Sequence, residues 1–168
     1  PYAYERHDIA ENQAYGYMRQ GGALKLSVTN FDTAGATSVL TTGEDLAKWD
    51  ANFQNPVVGG TALIAAMEER GRLSNGRDID YASGIVHGTH RGLKTLSHGG
   101  ADAGYRSALL RYPQQRFGVS TLCNLAQTNP TQIVNPSAAT GVESNVGVRG
   151  DNNNVRMNSS ATTNQSTT

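Results

Sequence analysis

The chain has 168 residues, which is about the length of one domain. Fourteen Lys and Arg side chains balance fourteen Asp and Glu side chains, so no overall field favours nucleic acid or an acidic membrane surface as a partner. The single cysteine, Cys123, excludes an internal disulfide and argues against a cysteine-based zinc site, and its apolar surroundings predict a buried thiol.

The chain begins at Pro1 in polar sequence, without a signal peptide or an apolar run of about 18 residues, so we expect no membrane segment and a start inside a longer protein. Residues 1–13 show no periodicity and are predicted to form a loop. The glycine pair 21–22 is flanked by two strand-like segments, Ala14–Met18 and Ala23–Val28. Because paired glycines can adopt positive φ, these segments predict a β-hairpin.

The next segment predicts a capped helix from about Gly43 to Phe53. A threonine at 41 or 42 can cap its first turn, and the acids at 44 and 45 favour the same end. Leu46, Trp49 and Phe53 recur on one face, so we expect Trp49 to pack in the core.

A second helix is predicted from Thr61 to Arg70, with Gly71 as its stop. Three apolar side chains are expected to face inward, namely Leu63, Ile64 and Met67. Adjacent helical side chains such as Glu68 and Glu69 point about 100° apart, so we assign these two to a solvated face and not to an acid–base pair.

After a turn at Asn75–Gly76, short connections and alternating sequence predict an antiparallel meander and an α+β fold with flanking helices. The four strands are expected near Ile79–His87, Gly92–Ser97, Tyr105–Tyr112 and Arg116–Cys123. His87 and His90 straddle the first turn, but no third ligand is spaced to complete a metal site, so none is expected.

The run from Leu93 to Gly100 is typical of a strand that delivers one polar side chain, His98, and then ends in bare backbone. Glycines beside a histidine let a substrate approach the main chain, where a free N–H can donate to a developing oxyanion. From these residues alone, an ordinary turn with a solvated histidine is the alternative.

Beyond Ala126 the apolar pattern fails. Asn129-Pro130 and Asn135-Pro136 interrupt any helix, and the remainder is rich in Asn, Ser, Thr and Gly. We therefore predict that the core is built within residues 1–126 and that residues 127–168 form a largely disordered tail.

Three runs together resemble the C-terminal part of the penicillin-recognising serine hydrolases, the family of class C β-lactamases, DD-peptidases and esterases. They are Leu40 to Trp49, Ser97–Gly100 followed by Gly104–Ser107, and Val119 to Ala126. The resemblance implies that residues 1–126 are the C-terminal portion of such a domain, within a β-lactamase/transpeptidase-like α/β/α fold. It also implies that a C-terminal cover helix is missing, which would leave an apolar sheet face exposed.

The resemblance implies acyl transfer through a serine acyl-enzyme, without a cofactor, on an ester, amide or peptide substrate. The family uses a Ser-x-x-Lys nucleophile, a Tyr-x-Asn type base motif and a Lys-Thr-Gly or His-x-Gly strand. Only the third motif is present. No serine stands three positions before any of the three lysines, and Tyr81-Ala82-Ser83-Gly84 is assigned to a strand and not to the second motif.

By the resemblance, His98 takes the place of the third-motif Lys or His, and the backbone N–H of Ala101 is the strand half of an oxyanion hole. The substrate-binding positions are Gly99, Gly100, Asp102 and Tyr105. Gly99 stands where penicillin-binding members usually carry a hydroxyl, which favours an ester or peptide over a β-lactam. Because an imidazole titrates near neutrality, the complete protein's activity is expected to depend on pH around six to seven.

Two function classes follow. The first is a fragment of a serine hydrolase, inactive without its N-terminal half and, by the resemblance, periplasmic or secreted. The second is a non-catalytic module that binds a peptide or partner along an open edge of the sheet.

Overall fold

The computed structural model describes residues 2–3, 12–28, 35–134, 145–150 and 153–158. The strands are β1 Tyr2–Ala3, β2 Tyr17–Gln20, β3 Ala23–Leu26, β4 Val39–Leu40, β5 Val86–His90, β6 Leu93–Asp102, β7 Tyr105–Tyr112, β8 Phe117–Cys123, β9 Asn145–Gly150 and β10 Asn153–Asn158. The helices are α1 Gly43–Gln54, α2 Gly60–Glu68, α3 Pro130–Val134 and a short 3-10 helix at Pro113–Gln115. Antiparallel sheets with helices confirm the predicted α+β class. None of the described helices combines the length and the apolar character needed to cross a bilayer.

The central element is a four-stranded antiparallel sheet in the order β5-β6-β7-β8, which confirms the predicted meander. Its first turn has Arg91 and Gly92 at φ 49° and 79°, the paired positive values of a tight two-residue hairpin. The first strand starts later than predicted, because residues 82–85 close a turn in which the amide of Ala82 donates to the carbonyl of Ile85, and it runs on to His90 instead of ending at His87. Only the part from Val86 onwards therefore enters the sheet.

Strand β6 is longer than predicted and runs through the histidine and both glycines to Asp102. It pairs with β7 over this whole stretch, from Leu96 opposite Arg111 to Asp102 opposite Tyr105. The prediction that the strand ends before His98 is therefore wrong: backbone pairing with β7 outweighs the weak strand propensity of two adjacent glycines.

The predicted N-terminal hairpin is confirmed, with β2 pairing β3 and both turn glycines at positive φ. It lies beside the end of β8, where the amide of Tyr17 donates to the carbonyl of Asn124 and the amide of Ala126 donates to the carbonyl of Tyr17. Gly16 and Gly104 touch backbone to backbone, and a Cβ on Gly104 would overlap this neighbour.

Helix α1 confirms its prediction, and the Thr42 hydroxyl accepts from the amide of Asp45 at 3.1 Å. The expectation that Trp49 lies in the core is wrong, because its side chain is 38% exposed and packs edge-on against Phe53, with ring centroids 5.2 Å apart. The buried residue of the helix is Asn52, whose amide bonds both the N–H and the carbonyl of Val58.

Helix α2 ends at Glu68, two residues earlier than predicted. Ile64 is buried as expected, but Leu63 is 44% exposed and lies against Gly59, so its inward assignment is wrong. Glu68 is half-buried, and its assignment to a solvated face is also wrong.

The buried side chain of Arg111 accounts for the inward orientation of Glu68 and of one face of α1. The guanidinium of Arg111, on β7, donates to the carboxylate of Asp50 at 2.6 Å, lies 3.6 Å from a carboxylate oxygen of Glu68, and covers the ring of Phe53 at 3.6 Å. A Cβ on Gly118 would overlap the Asp50 carboxylate, so that glycine leaves the room this ion pair needs. Arg111 thus holds α1 and α2 on one face of the sheet, here called the α1 face.

The opposite face, here called the α3 face, is apolar. Val134 of α3 packs with Ala108 and Leu110, and two half-buried side chains, Tyr112 and Val119, complete this cluster. A short helix therefore covers part of the sheet face that was expected to be open.

The predicted disordered tail falls largely on residues 135–144, 151–152 and 159–168, which lie outside the described residues. Within the tail, the structure describes α3 and the pairing of β9 with β10. Cys123 is half-buried, not buried, and its sulfur lies 3.7 Å from the Thr121 hydroxyl.

Candidate functional site

The candidate site lies at the second half of β6, where one edge of the strand is open. Val86 is the first residue of β5 and pairs with Ser97, so β5 covers β6 only from Leu93 to Ser97. Among the described residues, positions 98–102 have a strand partner on the β7 side alone. This opening is the feature around which the site residues are arranged.

The register fixes which backbone groups face the opening. Asp102 and Tyr105 close a two-residue turn, so they form a hydrogen-bonded pair, and antiparallel pairing alternates from there. His98 and Gly100 consequently direct their N–H and C=O groups to β7, whereas Gly99 and Ala101 direct theirs to the open edge. The strand therefore presents the Ala101 N–H to the open edge, and its role as an oxyanion donor stays a prediction.

His98 is exposed and has the same strand parity as Leu96, which places it on the α1 face. Its Nε2 lies 3.3 Å from the hydroxyl oxygen of Tyr81, and the two ring centroids are 6.1 Å apart. Tyr81 precedes β5 and forms an isolated bridge with Val86, so the prediction that it belongs to a strand is wrong.

The two glycines have different surroundings. A Cβ on Gly100 would overlap the Ser107 hydroxyl, so a glycine is needed there to accommodate the facing strand. A Cβ on Gly99 would meet only the carbonyl oxygen of Ser107, at an ordinary 3.7 Å. Packing within the chain therefore accounts for Gly100, and Gly99 stands at the opening without such a constraint.

Asp102 and Tyr105 flank the turn that follows the site. The Tyr105 hydroxyl donates to the carbonyl of Ala14 at 2.8 Å and is 3.2 Å from the amide nitrogen of Gln13. These bonds fix the segment before β2 against β7. Asp102 is half-buried at the end of β6. For both residues a role in substrate binding stays a prediction.

The prediction that His87 and His90 straddle the first turn is wrong, because that turn lies at Arg91 and Gly92 and both histidines belong to β5. His87 and His90 lie three positions apart on β5 and therefore on opposite faces of the sheet. His87 is buried and its Nε2 has no hydrogen-bond partner among the described residues, while the ring centroids of His90 and Tyr112 are 6.3 Å apart. No group of three or more potential metal ligands occurs in the described ranges.

Two residues of the arrangement were not assigned from the sequence. Tyr81 was predicted to lie in a strand, and the glycine at position 84 is the sequence signal that could have indicated a bend; in the structure it has a φ of 71°. Arg111 directly follows the apolar run Ala108–Leu110 of β7, and a charge at such a position is a signal for a buried partner. The two acids that complete its ion pairs lie about 40 and 60 positions earlier in the chain.

Comparison with known proteins supports a family assignment. The family model described as Beta-lactamase matches residues 2–142. A comparison with curated proteins finds no match. The match covers most of the chain and includes the sheet, both helices of the α1 face and the His98 strand. The chain therefore belongs to the beta-lactamase family and has a serine hydrolase-like fold.

Proposed function

We propose that the chain is the C-terminal part of a serine acyl-transfer domain, in which the second half of β6 forms one wall of the active site. The observation that carries this proposal is the open edge of β6, where the N–H groups of Gly99 and Ala101 point away from β7 beside an exposed His98. A backbone donor and an ionisable side chain at one edge suit a reaction that develops negative charge on a carbonyl oxygen.

In the proposed reaction a serine oxygen, supplied by a segment outside this chain, forms a bond to the carbonyl carbon of the substrate. The bond to the leaving alcohol or amine breaks, the leaving group takes up the serine proton, and water later hydrolyses the acyl-serine. The Ala101 N–H donates to the carbonyl oxygen as it becomes negative, and His98 stabilises the ionised nucleophile and base from the α1 face.

The printed chain lacks the nucleophile, because Gly22, Asp45 and Arg91 stand three positions before its lysines. We therefore expect the chain alone to be inactive. Gly99 offers no hydroxyl to hold a substrate carboxylate, so the preferred substrate is an ester or a peptide and not a β-lactam.

The test uses a contiguous parent protein that carries Ser-x-x-Lys and Tyr-x-Asn in frame upstream. A fluorophosphonate should label that parent, and His98→Ala should lower its acylation rate on the order of 100-fold or more, the usual cost of removing one positioned electrostatic group. Thr89→Ala, on an exposed position of β5, is the matched control and should keep the parental rate.

The 168-residue chain should stay unlabelled by fluorophosphonate and by a fluorescent penicillin under the same conditions. Stoichiometric labelling of a serine in this chain would contradict the proposed division of the site. An unchanged acylation rate in His98→Ala between pH 5 and 8 would show that β6 is scaffold only.

A second candidate is supported by the same opening. An extended peptide can pair with the edge at Gly99 and Ala101 as an added strand, without any chemistry. This binding module would show concentration-dependent NMR shifts at residues 99 and 101 with an extended peptide, in a parent that no acylating reagent labels.

A further inference from the structure

We propose that Tyr81 is a positioning residue for His98, with its phenol donating a hydrogen bond to Nε2 and so fixing the tautomer and the ring orientation at the open edge of β6. The functional part of this inference rests on the proposed acyl transfer. The pairing itself does not require activity.

The contact between the two side chains is the first support. The Tyr81 oxygen lies 3.3 Å from Nε2 of His98, with the rings inclined by 53°. A phenol is a good donor and a neutral imidazole nitrogen a good acceptor, so this pairing leaves the ring proton on Nδ1. The other ring nitrogen is then held in one protonation state and direction.

The main chain around Tyr81 is the second support, because backbone hydrogen bonds hold this segment in place. The Tyr81 carbonyl accepts from the amide of Gly71 at 2.7 Å, and the carbonyl of Asp80 accepts from the amide of His87 at 2.8 Å. The Tyr81–Val86 bridge holds the same segment against the end of β5. Because the backbone at Tyr81 is already ordered, only side-chain conformational entropy is lost when the phenol bonds His98.

The location is the third support. Tyr81 bridges Val86, the residue at which β5 begins, so this segment lies where the covered half of β6 gives way to the open half. His98 is the first residue of that open half and is itself exposed. A bond from a neighbouring element is the means the structure provides to orient it.

The test is NMR on the 168-residue chain with ¹⁵N-labelled histidine, at a pH where the imidazoles are neutral. In the parent sequence, His98 should show one dominant tautomer, with Nε2 unprotonated. In Tyr81→Phe the two nitrogen signals should draw together as the tautomers mix. Tyr105→Phe is the matched control, because it removes a hydroxyl bonded to Ala14 and Gln13, and it should leave the His98 signals unchanged.

A reciprocal measurement keeps the proposal testable should Tyr81→Phe fold poorly. With ring-labelled tyrosine, His98→Ala should shift the Tyr81 signal and not that of Tyr105. The proposal is overturned if His98 has the same tautomer mixture in the parent sequence and in Tyr81→Phe, or if both Tyr→Phe variants change it equally.

In a contiguous parent, Tyr81→Phe should lower kcat on the order of 10-fold with little change in KM, since one hydrogen bond that orients a catalytic group is lost. A parent that no acylating reagent labels would refute the proposed function and leave the NMR result standing. Loss of the NMR signature with normal labelling would refute only the role of Tyr81.

Discussion

The two halves of β6 belong to one strand but have different surroundings. From Leu93 to Ser97 the strand is paired on both sides, and Thr95 and Leu96 are buried at 5% and 3% exposure. From His98 to Asp102 it is paired on one side, and His98 is exposed. The first half anchors the strand in the sheet, and this anchoring lets the second half present a side chain and backbone donors at a fixed position.

Because only the first half of β6 is paired on both sides, substitutions at two nearby positions on the same face should have very different effects on stability. Leu96→Ala should lower the free energy of unfolding by about 3 kcal/mol, because it leaves a cavity under the α1 face. His98→Ala, two residues further along, should change it by less than about 0.5 kcal/mol. Urea unfolding followed by circular dichroism measures both. Similar losses in the two variants would show that the halves are not energetically distinct.

The anchored half also depends on Arg111, the cross-strand partner of Leu96. Arg111→Met should lower the free energy of unfolding by about 2 kcal/mol, because it removes the cation that pairs with the carboxylates of Asp50 and Glu68. Both carboxylates are partly exposed, so the loss should be smaller than for a fully buried ion pair.

Arg116→Met is the control for this loss, since the Arg116 side chain is exposed and its Nε donates to the side-chain oxygen of Gln54, at 3.2 Å. It should change the free energy of unfolding by less than about 0.5 kcal/mol in the same assay. Equal effects of the two variants would argue against a structural role for the Arg111 ion pairs.

Local signals predicted the local structure. The Thr42 hydroxyl caps a helix that begins at the next residue, and the glycine pair 21–22 forms the turn between two adjacent strands. Both the helix start and the hairpin are found where they were predicted. The order and approximate positions of the meander strands were also predictable from alternation and short turns.

The errors concern features set by distant residues. Trp49 and Leu63 were assigned to the core from the apolar pattern of their helices, but the contacts of Arg111 on β7 hold Asp50, Phe53 and Glu68 towards the sheet instead. For the site, the resemblance predicted roles for His98 and Ala101, which stay predictions, whereas the contact of His98 with Tyr81 depends on a turn in a segment that was predicted to be a strand.

The smallest expected effect is also the sharpest test of the open edge. Proline has no N–H and is tolerated in strands only where that group faces away from the ladder. Ala101→Pro should therefore lower the free energy of unfolding by less than about 1 kcal/mol, because the N–H of Ala101 points to the opening. His98→Pro removes an N–H that faces β7 and should cost about 3 kcal/mol.

Both proline variants are compared by urea unfolding, with the slope of the transition checked for two-state behaviour. A small loss for Ala101→Pro would also make it a clean probe in a contiguous parent, since the oxyanion donor would be gone while the fold remained. Acylation should then fall on the order of 100-fold or more, as for other lost oxyanion donors. Equal destabilisation by the two prolines would mean that the Ala101 N–H is engaged within the sheet and cannot serve a substrate.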